Sequence, residues 1–141
     1  METISRKEFL SLLGLSSAAL AVTYCFGGCQ PMSTAPPPPT NVDFTLDLTN
    51  SAYSALNSPG GYVYNDRIIV AKTVNGTYVA VSQTCTHAGG TVVYDKNIND
   101  FYCPVHGSLY STSGTVLQGP ASTPLAKYNT SLSGNALRVY S

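Results

Sequence analysis

The segment Cys85-Thr86-His87-Ala88-Gly89 is answered by Cys103-Pro104-Val105-His106-Gly107-Ser108, with 15 residues between His87 and Cys103. Each segment carries one thiol and one imidazole, as Cys-x-His in the first and Cys-x-x-His in the second. The chain has two histidines in all, and its other two cysteines, Cys25 and Cys29, fall within the first thirty positions. Whatever this chain folds into must therefore bring two loops together, each presenting a soft sulfur ligand and an imidazole. Four such ligands can close tetrahedral sites around one or two metal ions.

Three readings compete. Structural zinc sites usually take Cys pairs two to four residues apart and His pairs three to five apart, which this mixed spacing fits poorly. Two unrelated cysteines and two core histidines would make the matched content of the segments a coincidence. The third is a 2Fe-2S centre in which two Cys hold one iron and two His the other. On the residues CTHAG and CPVHGS, their separation, and the downstream Gln118-Gly119-Pro120-Ala121-Ser122-Thr123-Pro124-Leu125, the chain resembles the Rieske iron-sulfur protein family.

That resemblance implies a 2Fe-2S cluster with Cys85, His87, Cys103 and His106 as ligands. Two ferric ions, two sulfides, two thiolates and two neutral imidazoles sum to a formal charge of about zero, about two units less negative than with four thiolates. An added electron is then easier to hold. This accounts for potentials of roughly −150 to +300 mV, against about −400 mV in plant-type ferredoxins. Each imidazole also keeps one ring nitrogen free of the metal, able to exchange a proton or form a hydrogen bond.

The resemblance also assigns roles around the ligands. Ser108 and Tyr110 stand where high-potential Rieske proteins place a Ser and a Tyr that donate to a bridging sulfide and a ligand thiolate. Such donors stabilise the reduced, more negative state and raise the potential. Pro120 would lie in a proline-bearing loop covering one side of the cluster. Rieske proteins of cytochrome bc and b6f complexes usually carry a further Cys in each box, joined as a disulfide. Gly90 and Val105 occupy those places here, so neither half of the bridge is present. Disulfide-free boxes are commoner in soluble Rieske ferredoxins.

Before the domain comes a leader. Ser5-Arg6-Lys7-Glu8-Phe9-Leu10 precedes a mostly apolar span over residues 9–26, the charged-then-apolar layout of an export signal. It resembles a twin-arginine signal with Lys7 in place of the second Arg, which suits a protein that acquires its cluster before export. Gly27-Gly28-Cys29 resembles a bacterial lipoprotein processing site, with Cys29 acylated; an uncleaved membrane anchor is the rival. Residues 1–29 are thus expected to be signal or anchor and residues 30–40 a linker. Its four prolines, Pro36 to Pro39, predict an extended polyproline spacer rising about 3.1 Å per residue.

From residue 41 to 141 the pattern predicts an all-β domain of stacked antiparallel sheets with a cluster-binding subdomain. Val42, Phe44, Leu46 and Leu48 alternate with polar residues as a half-buried strand. Residues 51–61 carry turn residues, with one helical turn near Leu56. Residues 67–74 and 77–81 flank Asn75-Gly76, the strongest hairpin signal here. Further hairpins are expected over 91–95 with 100–103, 109–111 with 115–117, and 128–132 with 136–140, so both ligand loops emerge at strand tips. With no formal net charge and no basic run after the leader, a nucleic-acid partner is not expected.

The function implied by resemblance is that of a membrane-tethered electron carrier on the extracytoplasmic side, accepting electrons from quinol and passing them to a cytochrome. His106 would hydrogen-bond the quinol and take its proton, with His87 beside it. Such a protein is an electron-transfer subunit of a quinol-cytochrome c reductase-like complex, and quinol oxidation needs a cytochrome b partner. The alternative is a Rieske-type ferredoxin or small subunit of a periplasmic oxidase or oxygenase. A zinc-stabilised binding module without redox role is the third.

Overall fold

The computed structural model describes residues 35–141. The expected signal or anchor over residues 1–29, the proposed lipidation of Cys29 and the start of the linker lie outside the described residues.

The alternation after residue 41 forms β1 (Asp43–Asp47), with Leu46 buried and Phe44 partly so. Asn50 caps the following 3₁₀ helix (Ser51–Asn57) by accepting the Ala52 N–H at 3.0 Å, and Leu56 is buried. β3 (Ile68–Lys72) and β4 (Tyr78–Ser82) are the hairpin expected around Asn75-Gly76, and Gly76 has the positive φ that such a turn requires. β9 (Lys127–Ser133) and β10 (Ala136–Tyr140) pair around Gly134, and β10 also pairs with β1.

One strand departs from expectation. β2 (Tyr62–Asn65), in a stretch left unassigned above, pairs with β3 across Asp66 and Arg67. Both turn residues have positive φ, 48° and 61°, the mirror-image hairpin geometry usually signalled by Asn-Gly. A charged Asp-Arg pair gives no such signal.

The large sheet has the order β1-β10-β9-β4-β3-β2. The small one runs β5 (Val93–Asp95), β6 (Asp100–Tyr102), β7 (Leu109–Tyr110) and β8 (Val116–Gln118), with neighbours antiparallel. Among the described residues no helix is long and apolar enough to cross a membrane.

β3 explains how the sheets are joined. Its Ile68 and Val70 enter one core with Leu46, Leu56, Leu137 and Val139. Ile69 and Ala71 enter a second core with Val92, Tyr94, Phe101 and Tyr110, which also contains Cys85 and Cys103. A strand covered on both faces reads as an unbroken apolar run, Ile-Ile-Val-Ala, instead of alternating. Each buried aliphatic side chain contributes about 1.5–3 kcal/mol. The candidate ligand thiols thus sit in the same packed core that holds the small sheet to the large one. Tyr64 adds a polar tie by donating to the Val92 carbonyl at 2.8 Å.

Leu137 is fully buried in the first core, away from the thiols. Leu137→Ala is expected to cost about 2–5 kcal/mol in denaturant unfolding while the folded protein keeps its visible spectrum unchanged. A spectral change at low denaturant would show that the two cores are not independent.

Candidate metal centre

The two ligand loops share one backbone design. In the first, Cys85 N–H donates to the Gly90 carbonyl at 2.7 Å and Gly89 N–H to the Cys85 carbonyl at 2.9 Å. In the second, Cys103 N–H donates to the Ser108 carbonyl at 2.8 Å and Gly107 N–H to the Cys103 carbonyl at 2.9 Å. Gly89 and Gly107 occupy the same place in each turn, with φ of 76° and 81°, where an L side chain costs roughly 1–2 kcal/mol. The first loop leaves β4 and is closed at its base by a Thr84–Thr91 bridge; the second leaves β6. Likeness of the boxes in sequence is therefore likeness in geometry.

The four candidate ligands divide by solvent. Cys85 and Cys103 are buried, 1% and 0% exposed. His87 and His106 are exposed. The two imidazoles meet at Nδ1, 3.2 Å apart, with their rings perpendicular and centroids 4.7 Å apart. Each ring thereby turns Nδ1 toward its partner and has Nε2 on the opposite side. Among the described residues, no group of three or more His, Cys, Asp or Glu side chains is placed to hold one metal ion. One sulfur pair and one nitrogen pair do fit the two ends of a 2Fe-2S centre.

The sulfur end is tuned by hydrogen bonds. Burial pushes the Cys85 thiol up, but the Tyr110 hydroxyl, the His87 and Ala88 N–H groups and the Cys103 thiol outweigh it, leaving Cys85 below the ordinary thiol value. Burial and then the Cys85 thiol beside it push Cys103 up, opposed by the Val105 and His106 N–H groups. Tyr110 lies 3.2 Å from Cys85 Sγ. Burial first, then Cys85, push the Tyr110 hydroxyl up to about 12, so it keeps its proton and can donate it to sulfur.

A second set of contacts fixes the loop over residues 119–124. Ala121 N–H donates to Ser108 Oγ at 3.0 Å, with Ser108 fully buried, which leaves the Ser108 hydrogen to be donated elsewhere. Thr86 Oγ1 donates to the Thr123 carbonyl at 2.5 Å and contacts the Tyr110 hydroxyl at 3.1 Å. The Thr86 N–H also donates to Tyr110 at 3.3 Å. Pro120 itself is exposed and follows a cis peptide bond; the contacts of this loop come from Ala121 and Thr123. Ser108, Tyr110 and the proline loop are thus gathered around the thiols. Thr86 was not singled out above, although its position between two candidate ligands is a signal that could have found it.

At the two positions where the family resemblance implies a disulfide, Gly90 and Val105 approach each other closely. A Cβ built on Gly90 would lie 2.6 Å from Val105 Cγ2 and 3.2 Å from Cys103 Sγ. The Val105 side chain fills the space that any side chain at position 90 would need. Val105 is itself 55% exposed, so what the geometry requires is the absence of a side chain at position 90.

Residues 49–129 match the Rieske [2Fe-2S] domain family, more than half of the chain, and the chain belongs to that family. Its cofactor is accordingly a 2Fe-2S cluster, and it is an iron-sulfur electron-transfer protein. The cytochrome b6-f complex iron-sulfur subunit of Chlorobaculum tepidum is 29% identical over 105 residues, 73% of this chain and 58% of that protein. The same subunit of Chlorobaculum thiosulfatiphilum is 30% identical over 78 residues, 55% and 43% of the two chains. This chain therefore spans about half the length of the curated relatives it matches. Among solved structures, the cyanobacterial plasma membrane Rieske protein PetC3 from Synechocystis PCC 6803 aligns with a TM-score of 0.54 at 34% identity, over 64% of this chain and 95% of that one. The ferredoxin of carbazole 1,9a-dioxygenase from Nocardioides aromaticivorans IC177 aligns with a TM-score of 0.54 at 19% identity, over 72% and 98%, and shares the fold.

Gly90→Ala is expected to destabilise the holoprotein by about 1–3 kcal/mol through overpacking, and Val105→Ala in the same chain to restore most of it. Denaturant unfolding of both single variants and the double variant checks this, since purely additive effects would show that the two positions do not interlock. Gly107→Ala, which meets no atom within 4 Å, should cost about 1–2 kcal/mol through backbone strain alone.

Proposed function

We propose that this protein is a membrane-tethered electron carrier that receives electrons from a quinol and passes them to a cytochrome. The observation that carries the proposal is the exposed imidazole pair, joined at Nδ1, above two buried thiols. Cys85, Cys103, His87 and His106 would hold the cluster. When bound, the 2Fe-2S cluster takes up and returns one electron.

The chain's own residues do the rest. With Nδ1 turned inward, Nε2 of His106 is offered at the surface to accept a hydrogen bond and then the proton of a quinol hydroxyl; His87 flanks it. Proton and electron then leave the quinol at neighbouring sites. Tyr110 donates to Cys85 Sγ and favours the more negative state, as does the Ser108 hydroxyl, oriented by Ala121. The loop over residues 119–124 keeps water from the sulfur end. Partners of the cytochrome b and c types are supported by the likeness to b6-f subunits. Tethering would come from the segment before the domain, by lipidation at Cys29 or by an uncleaved anchor, with the domain outside the cytoplasm.

A second reading, a ferredoxin serving an oxygenase or oxidase, is favoured by the Gly90–Val105 pair, since the loops are held without a disulfide. The potential separates the two. A midpoint at or above about +100 mV that falls with rising pH, as coupled uptake of a proton and an electron requires, is expected of the quinol-linked carrier. A pH-independent value below about −50 mV in protein-film voltammetry would establish the ferredoxin reading instead.

Tyr110→Phe is expected to keep the cluster and lower the potential by tens of millivolts, since for one electron about 59 mV corresponds to about 1.4 kcal/mol, the scale of a hydrogen bond to a charged group. Cys103→Ser should abolish cluster binding. An unchanged potential in Tyr110→Phe would mean that the hydroxyl does not act on the thiolate.

A further inference from the structure

The proline run is not a free arm over its described length. Residues 35–40, Ala-Pro-Pro-Pro-Pro-Thr, form neither helix nor strand, and they belong to the same compact unit as the domain. A polyproline segment makes no internal hydrogen bonds, so its carbonyls are open acceptors. Two of them are taken by the domain. The Tyr128 hydroxyl donates to the Pro39 carbonyl at 2.8 Å, and Arg67 Nη1 donates to the Pro37 carbonyl at 3.2 Å.

Both donors are set for the task. The Tyr128 ring is anchored in the first core, 4% exposed. Arg67 stands at the tip of the β2–β3 turn with φ of 61°, a conformation that Asn or Gly adopts more easily. Aromatic rings with a hydroxyl at the rim and polar donors to proline carbonyls are how proteins recognise polyproline segments generally.

The strap does not seal the surface beneath it. Between residues 35–38 and Thr84, Thr86, Thr123, Pro124 and Leu125 lies a cavity of about 350 Å³, and Pro36, Pro37 and Pro38 are exposed. Two hydrogen bonds hold the strap, with little burial to reinforce them. Its far wall is the flank of the first ligand loop, where Thr86 bonds to both Tyr110 and Thr123.

We propose that residues 35–40 are a strap held on the surface of this domain by Arg67 and Tyr128 and set free when those two contacts are lost, so that the chain enters the domain beside the first ligand loop. The contacts lie within the domain, and the proposal holds whichever protein or quinol is the electron donor.

The test is ¹⁵N relaxation of the full chain in detergent, read at Ala35 and Thr40, the strap residues that carry an N–H. In the unaltered protein both amides should be as rigid as the strands, with order parameters of about 0.85. In Arg67→Asn with Tyr128→Phe, which suits the turn and keeps the buried ring, both should fall below about 0.6. The Ser82 and Ala126 amide signals, from residues that line the same cavity outside the candidate ligand loop, should shift with them, while those of β10 stay in place. Should that double variant not fold, replacing Pro36, Pro37 and Pro38 by Gly touches no core residue and should give the same loosening. Flexible Ala35 and Thr40 amides in the unaltered chain, or a strap that stays rigid in the variant, would overturn the proposal.

Discussion

Two thiols have to stay dry while two imidazoles, only two or three residues away along the chain, stay wet. Everything else in the fold serves that division. β3 is covered on both faces, and its Ile69 and Ala71 build the core that receives Cys85 and Cys103. The small sheet supplies Phe101 and Tyr110 to the same core. The loops then turn back over αL glycines, Gly89 and Gly107, which brings the histidines out on the solvent side. Without those reversals, sulfur and nitrogen ligands would share one environment.

The electrostatics follow from the same division. Burial alone disfavours a thiolate, and Cys85 overcomes it because N–H groups of its own loop and the Tyr110 hydroxyl point at the sulfur. Tyr110 can serve because its own burial keeps it protonated. Thr86 and Ala121 then bind the donors Tyr110 and Ser108 to the loop over residues 119–124. The loop over residues 119–124 is therefore tied by hydrogen bonds to both candidate ligand loops. Between those loops Val105 lies against Gly90, where any added side chain would meet it.

How much of this could be read from the residues alone differs from part to part, for physical reasons. The candidate ligands stand out because Cys and His are scarce and occur in two matched boxes. The β3–β4 hairpin stands out because Asn75-Gly76 satisfies a turn that few dipeptides can. β2 escaped notice because Asp66-Arg67 makes the same kind of turn with residues that rarely adopt it. The interlock of Gly90 with Val105 was invisible, since neither residue is chemically distinctive and their fit exists only once the loops meet. The docking of the proline run depends on Arg67 and Tyr128, 30 and 89 residues away from their acceptors, which no local pattern encodes.

The central claim is uneven ligation, sulfur at the buried end and nitrogen at the exposed one. It is tested most directly by metal and sulfide analysis of the purified holoprotein, combined with nitrogen hyperfine spectroscopy of the reduced form. The expected result is about two iron and two acid-labile sulfide per chain, with two imidazole nitrogens coupled to the spin. One zinc per chain without sulfide, or a cluster with no coupled nitrogen, would contradict it.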